Sequence, residues 1–398
     1  MRPLSELRIL IDRIPYAEGN IGEEAILAAL LQDLRACGVG DIRVSSNMPE
    51  RTRKRHGAAV SVIEDKAIRW PLLPREVSRA DLVIWGGGHM LQDRSSRLYI
   101  PYVVKTLLVA KALGAPRFIY APGLGPVRTR MGRILSRWAL RGSAAITVRD
   151  YVSARFLESL GLAGSFTRTA DPALGLETPH DGMGVVNRQT QPIIGFAPRR
   201  HFYRTGSSLP VSWQLAAKHP HPRFEHLLQE SAAALDFMVE KYGARIQLIP
   251  LDIGPNPRDD LICHKLRHYM VHGDAAEVLD DDPPLDEFVR RLANLDLLIS
   301  ARLHGLILGL RFGLPFIGID SDGKIEHFAQ SIGLGDYAIR DSDLNRDILC
   351  DLAARVFLDR DRLRKDLLRQ GILKRDLARE NRRRLKECLE SIARGESL

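Results

Sequence analysis

The sequence predicts an α/β protein of two doubly wound, Rossmann-like halves followed by C-terminal helices. Two observations carry this. Short apolar runs alternate with stretches of helical periodicity through most of the 398 residues, separated by short glycine-bearing turns, as strand–helix units of a parallel sheet do. The alternation breaks once, around Glu177–Gln191, where Pro179, Asp181, Gly182 and Gly184 interrupt it and mark a linker. With 45% hydrophobic residues, a chain of this length supports two domains.

The first half opens with a strand at Leu7–Ile11 and a helix at Glu23–Cys37. A strand at Leu82–Trp85 ends in Gly86-Gly87-Gly88, and the helix Tyr102–Leu113 is closed by Gly114. Then come a strand at Arg117–Ala121, a helix at Met131–Arg141, a strand at Ala145–Val148, and a helix at Ser153–Leu160 stopped by Gly161. The second half reads as strand Pro192–Ala197, helix Glu225–Tyr242, strand Arg245–Pro250 and helices Arg258–Met270 and Leu285–Ala293. Strand Leu297–Ser300, a short apolar helix ended by Gly313 and Pro315, and strand Phe316–Asp320 follow. His201–Pro222 is a long insertion without periodicity, of the length used for lids. After Ile339 the chain reads as helical, with apolar positions Leu363, Leu367, Ile372, Leu377, Leu385 and Leu389. The expected domains are therefore 1–178 and 192–340, with a linker at 179–191 and helices over 341–398.

Charge and cysteine content narrow the function. The four cysteines are scattered, and no His/Cys/carboxylate group has ligand spacing, so neither a disulfide framework nor a metal site is expected. No signal peptide or stretch of ~18 apolar residues is evident, so a cytoplasmic location is expected. The net charge of +9 is concentrated: Arg360–Lys386 holds twelve Lys/Arg against four Asp/Glu, and Arg51–Arg55 forms a smaller basic run. Such excess favours nucleic acid, anionic lipid or a phosphorylated substrate, the first weakened by the lack of a nucleic-acid motif, and Arg360–Lys386 is either a solvated helix face or a peripheral contact with the inner, anionic membrane surface.

Chemistry is expected in the loops at strand ends. In Arg302-Leu303-His304 a buried strand runs directly into a helix, so backbone N–H groups, a fixed cation and an imidazole converge on one anion site. Asp322 and Lys324, one strand later, extend it. Arg199-Arg200 follows another strand and suits carboxylate or phosphate recognition, or a surface ion pair. In Asn20-Ile21-Gly22-Glu23-Glu24, Asn20 suits a helix cap and the glutamates suit either the first-turn dipole or a sugar hydroxyl. Gly86–Gly88 admits a ligand or a tight turn, and Asp93 behind it is either a general base or a structural carboxylate.

These segments resemble the polysaccharide pyruvyl transferases. The matching stretches are NIGEEAIL (20–27), GGGHMLQD (86–93), APGLGP (121–126), VRDYVSARFLESLG (148–161), DPAL (171–174) and SARLHGLILGLRFGLPFIGIDSDGKIEHF (300–328). The resemblance implies a type B glycosyltransferase-like fold, with the acceptor on the first domain and the donor on the second, across a cleft. It implies transfer of pyruvate from phosphoenolpyruvate, as a ketal, to a saccharide that is polymeric or polyprenyl-linked, with release of phosphate and no cofactor. By position Arg302, Leu303 and His304 match the donor motif, Arg199 or Arg200 a second donor arginine, and Asp93 the end of the glycine motif. On this basis Lys324 joins the donor side, His304 is phosphate ligand or proton donor, Asp93 is the acceptor base, and Asn20, Glu23, Gly87 and Gly88 bind acceptor. Glu23 stands where the family more often has Asp, and Ser321 where Tyr is expected. The alternatives are a nucleotide-sugar glycosyltransferase and a non-catalytic subunit of polysaccharide assembly.

Overall fold

The computed structural model describes residues 2–15, 19–58, 60–64, 72–93, 96, 98–179, 191–199, 222–254 and 258–396. Arg200, most of the 179–191 linker and the insertion up to Pro222 lie outside these residues. Two parallel sheets organise the chain.

In the first half, β1 (Arg8–Asp12), α1 (Ile21–Ala36), β2 (Asp41–Ser46), α2 (Pro49–His56), β3 (Ser61–Glu64) and α3 (Leu72–Ser78) come first. They are followed by β4 (Leu82–Gly86), α4 (Tyr99–Ala112), β5 (Arg117–Tyr120), α5 (Arg130–Leu140), β6 (Ala145–Val148), α6 (Tyr151–Ser159) and β7 (Thr167–Arg168). The second half contains β8 (Ile193–Ala197), α7 (Pro222–Tyr242), β9 (Arg245–Leu248), α8 (Asp259–Tyr269), β10 (Ala276–Val278), α9 (Leu285–Ala293), β11 (Leu297–Ser300), α10 (Leu303–Leu310), β12 (Phe316–Asp320), α11 (Lys324–Gln330) and β13 (Ala338–Arg340). α12 (Arg346–Leu358) and α13 (Arg360–Arg394) close the chain.

The strand orders are β3-β2-β1-β4-β5-β6-β7 and β10-β9-β8-β11-β12-β13. Each order reverses once, between β1 and β4 and between β8 and β11, and crevices at such switch points bind ligands. The central strands are apolar throughout (LVIWG, IIGFA, LLIS) and fully buried, as strands covered on both faces must be.

The two halves share one apolar core, in which Ile21, Ile26 and Leu30 of α1 join Leu251, Leu306 and Leu310 of the second half. α13 straps them together, burying Leu363 and Leu367 at one end and Leu385 and Leu389 at the other. Its middle departs from the expected stripe. Ile372 and Leu377 are exposed, and Gly371, Ala378 and Asn381 face inward instead. The cause is close approach: a Cβ at Gly371 would lie 2.6 Å from the Leu310 carbonyl oxygen. The edge strands β3, β7, β10 and β13 were not anticipated, because two to four residues give too little periodicity, and neither was β2, the six-residue strand beside β3. No helix among the described residues is long and apolar enough to cross a membrane.

Candidate active site

The loops after β1, β4, β8 and β11 converge where the two sheets face each other. The seam begins at Asn20, whose side chain accepts the Gly22 N–H (3.0 Å) and so caps α1. Its amide donates to Asp252 (3.4 Å), while Ile21 N–H reaches the Leu251 carbonyl (2.9 Å) and Ile253 N–H the Gly19 carbonyl (3.1 Å). This pairing presses the first turn of α1 onto α10. A Cβ at Gly22 would lie 2.1 Å from Cγ of His304, so only glycine leaves room for the imidazole. Glu23, the next residue, is buried against Gly88, where a Cβ would lie 2.6 Å from its Oε1.

Arg302 is the residue at which β11 turns into α10, and its side chain makes no cap. Its Nε and Nη2 donate to the two carboxylate oxygens of buried Asp259 (2.8 and 2.6 Å), and Nη1 lies 3.6 Å from Asp252. Burial raises Asp259 to about 6 even against the pull of Arg302, and raises Asp252 as well. Arg302 therefore sits in a carboxylate cage, not as the open cation expected from sequence.

The cations that balance this cage lie beside His304. Arg149, directly after β6, donates to Asp171 (2.7 Å), and the Ala173 N–H also binds that carboxylate (3.0 Å). Burial opposes ionisation of Asp171, but Arg149 and then His304 bring it down to about 2, a fixed anion at neutral pH. Nε2 of His304 is 3.5 Å from Asp171, too long for a good hydrogen bond, and is buried with no hydrogen-bond partner among the described residues. A buried nitrogen left open in this way is expected at a site that binds or moves a proton.

His89, in the glycine loop, donates from Nε2 to the Gly125 carbonyl (2.6 Å). Burial, with Lys324 and Arg149 nearby, holds it neutral well below the usual histidine range. Lys324 pairs with Asp322 (2.9 Å), which Arg199 also approaches (3.4 Å). Burial, together with Arg199 and Arg149 but offset by Asp322, lowers Lys324 to about 8. His304 thus stands between a carboxylate cage around Arg302 and a cluster of Arg149, Lys324 and Arg199.

Of the residues expected from sequence, Arg199, Arg302, His304 and Lys324 come together here, and Glu23, Gly87 and Gly88 lie at the seam. Leu303 is partly buried and packs against the apolar core. Asn20 is committed to the cap and to Asp252, which accounts for it without an acceptor. Asp93 is a correction. Its carboxylate accepts the backbone N–H groups of Arg128 (2.9 Å) and Thr129 (2.7 Å), which keep it below the usual carboxylate range despite partial burial. It anchors the turn into α5 and is not an available base. Gly22, His89, Arg149, Asp171, Asp252 and Asp259 were missed. Arg149 and Asp171 follow strand ends, a signal that could have found them; Asp252 and Asp259 are defined only by the cross-domain seam.

A family model for polysaccharide pyruvyl transferase matches residues 20–323, most of the chain, including Arg149, Asp171, Arg199, Arg302 and His304. The chain belongs to this family. No curated protein matches it in sequence. Among solved structures, a glycosyltransferase from Rickettsia africae is similar at 14% identity and TM-score 0.59, covering 97% of this chain and 98% of that one. S. aureus MnaA in complex with UDP gives 12% identity and TM-score 0.59 over 91% and 90% of the two chains. The Neisseria meningitidis UDP-GlcNAc 2-epimerase gives 9% and 0.58 over 94% and 97%. These likenesses establish the type B glycosyltransferase-like fold.

Proposed function

We propose that this pyruvyl transferase takes pyruvate from phosphoenolpyruvate and attaches it as a ketal to two hydroxyls of a saccharide, polymeric or polyprenyl-linked. The observation that carries the reading is the open, buried Nε2 of His304 beside the cationic cluster. The donor is a carboxylate and a phosphate on an enol. Arg149, Arg199 and Lys324 offer charge-assisted hydrogen bonds to both anions, and the edge of Arg302 toward Asp252 offers another. Protonation of the donor methylene makes its central carbon electrophilic. One acceptor hydroxyl adds there, its proton restoring the group that protonated the methylene; phosphate leaves with the C–O electron pair, and the second hydroxyl closes the ketal, its proton leaving with the phosphate. We assign the proton transfer to His304, whose Nε2 lies 3.5 Å from the Asp171 carboxylate. Glu23 remains the acceptor-side carboxylate, and no step requires a cofactor.

The test is incubation with phosphoenolpyruvate and a panel of lipid-linked and nucleotide-activated sugars, following phosphate release and ketal formation by mass. Transfer from a nucleotide sugar instead would replace this reading with a glycosyltransferase. Tight phosphoenolpyruvate binding without turnover on any acceptor would favour a non-catalytic subunit.

The shifted groups give the reading a pH signature. An anion at Arg302 is favoured while Asp259 is protonated, below about 6, and an anion at Lys324 while its amine is protonated, below about 8. Donor affinity, measured calorimetrically from pH 5 to 9, is expected to fall in two steps as pH rises. The donor phosphate itself titrates near the lower step, with a second pKa of ~6, so Asp259→Asn supplies the control and should flatten that step alone. An affinity that rises with pH in both proteins would contradict this placement.

A further inference from the structure

α5 is an amphipathic helix turned inside out. Its buried positions include Gly132, Ser136 and Ala139, whereas Met131, Ile134 and Trp138 are 71%, 55% and 53% exposed. Their i, i+3, i+7 spacing puts them on one face. Arg130, Arg133, Arg137 and Arg141 line one flank of that face, Arg128 lies just before the helix, and no Asp or Glu occurs from 126 to 142. None of these arginines forms an ion pair among the described residues; Arg133 donates to the Ser159 carbonyl (2.8 Å). The nearest carboxylates on neighbouring elements are engaged, Asp93 by the backbone and Glu158 by Arg155.

We propose that this face of α5 docks on an anionic lipid bilayer, with Met131, Ile134 and Trp138 in the interface and the arginines on lipid headgroups. Exposed aliphatic and indole side chains flanked by a row of arginines match the chemistry of that surface. Many arginines of the basic runs singled out in the sequence are engaged in ion pairs. Arg51 and Arg55 of α2 cross to Asp282 of the second half. In α13, Arg360 and Arg364 hold Asp296, Arg382 holds Asp33 and Glu177, and Arg383 and Arg384 pair with Glu380 and Glu387. α5 begins just after the Gly123–Gly125 turn that touches His89, so the docked bilayer would adjoin the cleft. The surface stands whether or not the cleft transfers pyruvate.

Co-sedimentation with phosphatidylcholine vesicles, with and without phosphatidylglycerol, tests it at low and high salt. The wild-type chain should bind the anionic vesicles only, and high salt should weaken binding. Ile134→Asp/Trp138→Ser and Arg137→Glu/Arg141→Glu should each weaken binding by about tenfold or more, with unchanged thermal melts. Trp138→Phe, a conservative change, should abolish a vesicle-induced blue shift of tryptophan fluorescence. Failure to bind anionic vesicles, or undiminished binding by both double variants, would overturn the proposal. So would loss of binding only on charge reversal at Lys365 and Arg369 of α13. Self-association that Ile134→Asp abolishes, without vesicle binding, would assign the face to a second copy of the chain instead.

Discussion

Arg302→Ala is expected to abolish turnover and to destabilise the protein at the same time. Among the described residues the guanidinium is the only side chain hydrogen-bonded to the Asp259 carboxylate, and it also lies beside Asp252. Without it the two carboxylates are left buried side by side, or must take up protons. Removing one partner of such a buried pair costs about 3–5 kcal/mol. Because the residual carboxylates are relieved by protonation, the loss of stability should be larger at pH 8 than at pH 5. Turnover should fall by ~10³-fold or more through loss of a desolvated cation at the reacting anions. The double variant Arg302→Ala/Asp259→Asn separates the effects: it should recover much of the melting temperature and none of the activity. Recovery of both would reduce Arg302 to a partner of Asp259.

His304→Gln is expected to lower the saturated rate by ~10²–10⁴-fold, the usual contribution of a general acid or base, with a smaller change in donor affinity. Glutamine keeps a hydrogen-bonding side chain near Asp171 but cannot exchange a proton near neutral pH. A weaker KM with an unchanged kcat would make His304 a phosphate ligand only. Gly22→Ala is the companion experiment. The added Cβ would lie 2.1 Å from the imidazole and 2.3 Å from its Nδ1, so the ring must move. A displacement of ~1 Å can cost 10²-fold in rate. Activity should therefore collapse in a variant that changes no polar group. Normal kinetics in Gly22→Ala would show that the position of the ring is not critical.

Much of the scaffold was legible from the sequence because long, doubly buried strands and their helices are written as apolar runs and helical periods. Arg302, His304 and Lys324 were legible for a related reason, since β11 and β12 announce their own C-terminal ends. What was not legible depends on partners distant in sequence. Gly22 reads as an ordinary glycine until α10 is placed against it. Asp252 looks like a loop acid after a strand and Asp259 like a surface acid at a helix start, yet both are buried against Arg302. Asp93 was misjudged because a carboxylate that binds backbone N–H groups has the same letter as one that binds a substrate. The basic C-terminal run keeps an excess of charge: Arg360, Arg364 and Arg382 meet acids on other elements, whereas Arg379, Arg383 and Arg384 pair with acids of α13 itself.

The strap formed by α13 has a consequence for the order in which the protein can be made. At 1.5 Å per residue, its 35 residues extend over roughly 50 Å. Leu385 and Leu389 complete the apolar layer over α1, and Asn381 satisfies Thr169 (2.9 Å) and the Ala170 carbonyl (3.1 Å). The half of the molecule synthesised first is therefore finished by the segment synthesised among the last. During translation at about 5–20 residues per second, that half waits many seconds with part of its core in water. A chain ending at residue 359 should emerge as a collapsed, aggregation-prone species, and supplying residues 360–396 as a separate peptide should rescue its solubility. The N-terminal sheet is thus an architectural unit without being an autonomous folding unit.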